Sequence, residues 1–95
     1  MKAYFVFIRE QTLDAGELDI YFTKVQSTFS GHEVKVLAAY GHHEELEGSP
    51  IEGAVIAEFP SVEAAKAWYD SPAYREVRLH RFNGAIYRAT LVQGV

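Results

Sequence analysis

Apolar residues along this chain fall into four strand-like runs and two helical stripes. The first run, Lys2 to Arg9, places Tyr4, Val6 and Ile8 on one parity and Ala3, Phe5 and Phe7 on the other. Both faces are apolar, so the pattern predicts a strand buried on both sides. Gln11 to Leu13 then read as a turn. Asp14 reads as a helix N-cap, with Glu17 three residues on. Leu18, Tyr21, Phe22, Val25 and Phe29 recur at helical spacing, and Gly31 is placed to end that helix.

Glu33 to Tyr40 reads as the second strand, followed by a polar connection from Gly41 to Gly53 with a Gly48-Ser49-Pro50 turn signal. The third strand, Ala54 to Phe59, is bounded by Gly53 and Pro60. Proline has no N–H for the ladder, so the strand stops there. Ser61 can then cap a new helix, with Glu63 in its first turn and Val62, Ala65, Trp68 and Tyr69 on one side. Pro72 ends that helix at Ser71, yet Ser-Pro is also a cap and first residue for another. The pattern therefore predicts a helix broken at an elbow over Asp70 to Pro72. Asn83-Gly84 reads as a turn, and Ala85 to Gln93 as the fourth strand.

The order βαββαβ is that of an α+β, ferredoxin-like domain, residues 1–95, with both helices on one face of a four-stranded antiparallel sheet. A first strand that is apolar on both parities then leaves one sheet face open. Each large apolar side chain buried is worth roughly 1.5–3 kcal/mol, and a bare patch of this kind marks an interface. A second copy laid face to face is the simplest cover, which predicts a homodimer built as a dimeric α+β barrel. Covering the open face with loops needs more chain than the sequence supplies.

Composition narrows the classes. At 48% hydrophobic and 14% aromatic residues, the chain is too apolar to be disordered. It has no cysteine, which removes disulfides and thiolate chemistry. The run Ala3 to Ile8 is too short for a signal-peptide core or a membrane span, so a cytoplasmic protein with no membrane partner is expected. A formal charge of -4 argues against nucleic acid, whose binding is driven by neutralising phosphates. Charge is uneven: Glu44 to Glu52 holds four acids and no Lys or Arg, whereas beyond Ser71 stand Arg75, Arg78, Arg81 and Arg88 against Glu76 alone. Such patches join two copies or pair within one chain.

Candidate chemistry follows from residue type. Tyr74, Arg78 and Arg81 share one face of the second helical piece, while Ala73, Val77 and His80 share another. Guanidinium groups there suit an anion or carboxylate, or else form a solvated face. Tyr4, Trp68, Tyr69 and Tyr74 are core, or the wall of a site for a planar ligand. Glu58 lies within an apolar strand: facing inward it is a general base with a raised pKa, and otherwise it pairs with an arginine such as Arg81. His42 is the alternative acid or base. His42-His43 points to opposite faces and has no ligand partner at metal-site spacing, so no metal is expected, and nothing in the motifs calls for a cofactor.

Leu46-Glu47-Gly48, Val55-Ile56-Ala57-Glu58-Phe59-Pro60-Ser61, Ala67-Trp68-Tyr69-Asp70-Ser71-Pro72-Ala73-Tyr74, Arg81 and Leu91-Val92-Gln93-Gly94-Val95 resemble domain of unknown function 1330 across essentially the whole chain. The first helix is looser than that pattern, His42 stands where a second glycine is usual, and Gln93 replaces a glutamate. The resemblance implies a small dimeric α+β barrel and assigns no reaction. Related barrels include cofactor-free monooxygenases and muconolactone-isomerase-like enzymes, so an enzyme here would be a cofactor-independent isomerase or monooxygenase. Two functions stand open. One is a pocket between the sheet and the broken helix for a small anionic or aromatic organic molecule, held by Arg81 with His42 or Glu58 as base. The other is a non-catalytic homodimeric interaction or regulatory module.

Overall fold

In the computed structural model, which describes residues 1–95, β1 (Ala3–Thr12) is followed by α1 (Ala15–Lys24) and a short 3-10 helix (Val25–Phe29). Next come β2 (Lys35–Ala39), β3 (Gly53–Phe59), α2 (Val62–Tyr69), α3 (Pro72–Gly84) and β4 (Ala85–Gln93). The sheet order is β2-β3-β1-β4, antiparallel throughout, so the fold is the ferredoxin-like α+β arrangement.

Local chemistry sets most of the boundaries. The Asp14 carboxylate accepts from the Gly16 and Glu17 N–H groups, the Ser61 hydroxyl from Ala64 N–H, and the Ser71 hydroxyl from Tyr74 N–H. Each cap satisfies a donor that the helix leaves free. Gly31 ends the first helical segment in the left-handed region at φ 82°, where a glycine carries no Cβ penalty.

Several boundaries differ from expectation: β2 stops at Ala39, one residue short of Tyr40, and β3 starts at Gly53. Gln11 and Thr12 belong to β1, which continues past a register shift between Arg9 and Gln11 to pair with Ile86 and Ala85. Glu33 and Val34 stand outside β2. Asn83-Gly84 is no turn between elements; both residues complete α3. Gly84 serves another purpose: a Cβ there would lie 2.8 Å from Leu18 Cγ, so glycine permits α1 to close on α3. Its carbonyl in turn accepts from the N–H groups of Leu13 and Asp14 at 2.8 and 2.9 Å, tying the end of α3 to the entry of α1.

Pairing settles which parity of β1 meets the helices. Ala3, Phe5 and Phe7 are buried beneath them, opposite Phe59, Ala57 and Val55 of β3. Trp68, Tyr74 and Phe59 are the largest fully buried side chains. The Trp68 ring stacks 4.0 Å from Tyr74, and its Nε1–H donates to the Thr28 hydroxyl at 3.0 Å. The opposite face carries Val6, Ile8, Ile56 and Val92 with no helix above it. Val92 and Ile86 are about half exposed there, at 50% and 44%. Loop residues Glu47–Ile51 flank this face beside Ile86 and Arg88, so the β2–β3 connection does border one corner of it. The rest stays uncovered within a single chain.

Candidate functional site

The apolar cavity lies beneath α1 and its 3-10 extension, toward the β2 edge of the sheet. Phe7, Val55, Ala57 and Tyr87 form its floor. Tyr21, Val25, Phe29 and Trp68 form its roof, while Phe22, Val36 and Tyr40 stand at the more exposed rim. Its volume is about 260 Å³. A cavity of roughly 150 Å³ accepts benzene, so this one suits a single substituted ring.

The gap has a packing cause. On the side of the broken helix, Trp68, Tyr74 and Phe59 fill the space completely. On the other side the first helix ends in a 3-10 turn, and β2 is a five-residue edge strand exposed along its length. Tyr40, directly after β2, turns its ring back into the space. Its φ of 57° makes it the single non-glycine residue in the left-handed region. The ring lies against Gly53, where a Cβ would come within 2.6 Å of Tyr40 Cδ1. The Arg9 guanidinium sits 4.9 Å from the ring centroid.

Arg81 is the one charged group lining the cavity. It is 3% exposed, and its Nε has no hydrogen-bond partner. It takes part in none of the chain's ion pairs. Its guanidinium carbon lies 5.3, 5.0 and 5.0 Å from the ring centroids of Phe7, Phe82 and Tyr87. Cation–π contact offsets part of the desolvation of a buried cation, but no counter-charge completes it.

Two hydroxyl pairs stand at the cavity, with Tyr21, Tyr40 and Tyr87 in its lining and Tyr74 behind it. Tyr21 and Tyr74 hydrogen-bond through their hydroxyls at 2.8 Å, and Tyr40 and Tyr87 do so at 2.5 Å. Burial pushes the Tyr21, Tyr40 and Tyr74 hydroxyls above the ordinary tyrosine range, with the Arg81 charge pulling each partly back. A group that holds its proton more tightly when folded adds stability that is complete below its unfolded pKa and is lost as pH rises. Denaturant midpoints should therefore fall once the pH passes about 10, and Tyr21→Phe should flatten that fall. A midpoint level through this range would show that the hydroxyls ionise freely in the folded chain.

The sequence candidates divide. Arg81 and Trp68 line the cavity, and Tyr74 backs it through Tyr21 and Trp68. Arg78 and Tyr69 do not line it: Arg78 Nη1 donates to the Tyr69 carbonyl at 3.0 Å and lies over the Tyr69 ring, which fastens the elbow between α2 and α3. Val77 lies on the buried side of α3 with Tyr74 and Arg81, not on a separate face.

Tyr4 and Glu58 stand opposite each other on the open face of the sheet. Glu58 does not point inward, and its partner is Lys2 at 3.1 Å rather than Arg81. That hydrogen bond holds its carboxyl below the usual carboxylate range, opposite to the shift expected of a buried base. His42 is 85% exposed on the β2–β3 connection, facing Glu44. Neither candidate base reaches the cavity, whose lining has no carboxylate or imidazole. The arginines beyond Ser71 do not pair with the acidic connection either: Arg78 faces Asp70 and Arg88 faces Glu10.

Tyr21, Tyr40 and Tyr87 were not singled out as site residues by sequence. Tyr21 sits in a stripe that reads as core, and Tyr40 and Tyr87 meet only through the tertiary fold. No group of three or more His, Asp or Glu side chains is arranged to hold a metal ion, and no helix is long and apolar enough to cross a membrane.

A family model described as "Domain of unknown function (DUF1330)" matches residues 2–95. Among solved structures, a protein of unknown function from Rhodopseudomonas palustris superposes with TM-score 0.78 at 20% identity, covering 99% of this chain and 82% of that one. A dimeric ferredoxin-like protein of unknown function from Thermobifida fusca gives TM-score 0.67 at 13% identity, covering 99% and 92%. SnoaB, a cofactor-independent oxygenase from Streptomyces nogalater, gives 0.64 at 10%, covering 99% and 93%. Identities this low establish the shared fold. A search of curated protein sequences finds no match.

Proposed function

The chain belongs to the DUF1330 family, and from that premise we propose that it is a homodimeric binding protein for a small acidic organic molecule. The ligand occupies the cavity beneath α1, with its apolar body on Phe7, Val25 and Trp68 and its anionic group on Arg81. One observation carries this reading: Arg81, buried and with no counter-ion, is among the residues that line an apolar cavity. Folding has already stripped water from that cation, so an incoming carboxylate meets a preformed donor in a medium where the attraction is weakly screened. The empty lining of acids and imidazoles supports binding ahead of proton transfer by a protein base.

The dimer rests on the uncovered sheet face, whose centre is Val6, Ile8 and Ile56 and whose margin carries the Lys2–Glu58 and Arg88–Glu10 pairs. An apolar centre with a charged rim is the composition of a protein interface. Two copies laid face to face would close a barrel, in keeping with the dimeric state of the Thermobifida fusca protein.

A thermal-shift comparison of benzoic acid with benzamide tests the ligand. At about a thousand times its dissociation constant, the acid should add roughly 4 kcal/mol of stability, while the amide adds little. Equal responses, or none to a wider set of aromatic acids, would remove the anion site. Light scattering tests the assembly: twice the 10.7 kDa of one chain is expected, and a single-chain mass at micromolar concentration would contradict it.

A further inference from the structure

Tyr40 closes one end of the cavity, and it does so in an unusual conformation. It follows the β2 edge strand in the left-handed region at φ 57°, where a bulky residue is an outlier. A strained residue persists only where its surroundings over-determine it, and here several elements hold it. The Tyr40 N–H donates to the Ala54 carbonyl at 2.8 Å. The ring meets Phe22 of α1 edge to face at 5.5 Å, and the hydroxyl is hydrogen-bonded to that of Tyr87 on β4. A Cβ on Gly53 would fall 2.6 Å from Tyr40 Cδ1, so glycine at the start of β3 is what lets the ring lie there.

The ring acts as a wall. The Arg9 guanidinium lies 4.9 Å from its centroid, yet Arg9 does not line the cavity and Tyr40 does. The ring therefore stands between the cavity and the Arg9–Glu52 ion pair, where the β2–β3 connection ends. Toward the other end of the strands, Phe29 and the buried Trp68 close the space. Trp68 is fixed there by its bond to Thr28.

We propose that Tyr40 sets the size of ligand this cavity accepts: its ring shuts the Gly53 end and holds the body of the ligand to a single ring. The proposal rests on the ligand reading above and deepens it from charge to size, with Arg81 answering to the acid and Tyr40 to the body. Roughly 150 Å³ accepts benzene, so the 260 Å³ here takes one ring with its acidic group. A second ring in line with the first needs the space that the Tyr40 ring fills. A wall pinned from several sides yields little to such overpacking.

Calorimetric titration with benzoic acid and 4-phenylbenzoic acid tests it. Wild type should bind benzoic acid more tightly, although the longer acid has more apolar surface to bury. Tyr40→Gly suits the left-handed backbone and deletes one aromatic ring, and it should move the affinity ratio by about tenfold or more toward 4-phenylbenzoic acid. Tyr40→Phe, which keeps the ring and loses the hydroxyl bond, should keep the wild-type ratio. If the glycine variant does not fold, Tyr40→Asn carries the same expectation, because asparagine tolerates the same conformation. Three results overturn the proposal and leave the acid site standing. They are a wild type that takes the longer acid as tightly as benzoic acid, a folded Tyr40→Gly or Tyr40→Asn whose ratio moves by less than about tenfold, and a Tyr40→Phe ratio that moves as far as that of the glycine variant. If neither acid binds wild type, the acid reading itself fails and this proposal falls with it.

Discussion

Truncating Trp68 to alanine should lower the unfolding free energy by about 3–5 kcal/mol, the usual range for removing a buried aromatic side chain. The indole is 2% exposed and packs among Phe5, Phe7, Phe59 and Tyr74. It touches strands, the first helical segment and both pieces of the broken helix, so no single neighbour can collapse into its space. The loss also leaves the buried Thr28 hydroxyl without its donor, although that hydroxyl still donates to the Val25 carbonyl at 2.6 Å. A chain of this size has roughly 5–15 kcal/mol in hand, so a large fraction of it goes. Thermal unfolding should drop by more than roughly 10 °C. Trp68→Phe, which retains most of the volume, should lose much less. A drop under about 1 kcal/mol in the alanine variant would place the indole outside the core that organises both helix layers.

Arg81→Met should act in the opposite direction, raising stability while abolishing the preference for acids. Arginine at this position is a desolvated cation without a carboxylate, and contact with the Phe7, Phe82 and Tyr87 rings compensates only part of that penalty. Replacing buried ionic groups by apolar side chains of similar volume is often neutral or stabilising by about 1–4 kcal/mol. Here no orphaned partner charge is left behind. Methionine is flexible enough to fill the space. A gain of about 1–3 kcal/mol in urea unfolding is expected after the lost cation–π contacts are discounted. Stability given up at one position for function is common. A loss of several kcal/mol would instead mark Arg81 as structural and would undercut the anion site.

The strands and helix starts were legible because their causes are local. Asp14, Ser61 and Ser71-Pro72 cap helices through bonds to residues two or three positions away. Gly84 was misread because its cause is distant: the glycine answers to Leu18 on another helix, and no local pattern carries that demand. The buried stripe Tyr74, Val77, Arg81 and Gly84 runs at spacings of three, four and three, so Arg81 belongs to the core face while Arg78 stands at its edge. Grouping Tyr74, Arg78 and Arg81 at spacings of four and three placed Val77 on another face, although the buried stripe runs through Val77 and leaves Arg78 at its edge.

Glu58 shows the same lesson on a strand. It alternates with Ala57 and Phe59, which pack under the helices, so strand parity alone turns it toward the open face. The cavity was less legible. It exists because one helical segment tightens into a 3-10 turn beside a short edge strand, and because Tyr40 takes a left-handed conformation. Those are tertiary outcomes, and the tyrosines that pair across the space come from positions 40 and 87.

The most direct measurement is nitrogen-15 NMR of the arginine Nε–H groups as benzoate is added. If the cavity is the ligand site, the Nε–H resonance of Arg81 moves with saturation, more than those of Arg75, Arg78 and Arg88, and its exchange with water slows. An unmoved Arg81 signal, with changes gathered instead at Arg88 on the open sheet face, would contradict the account.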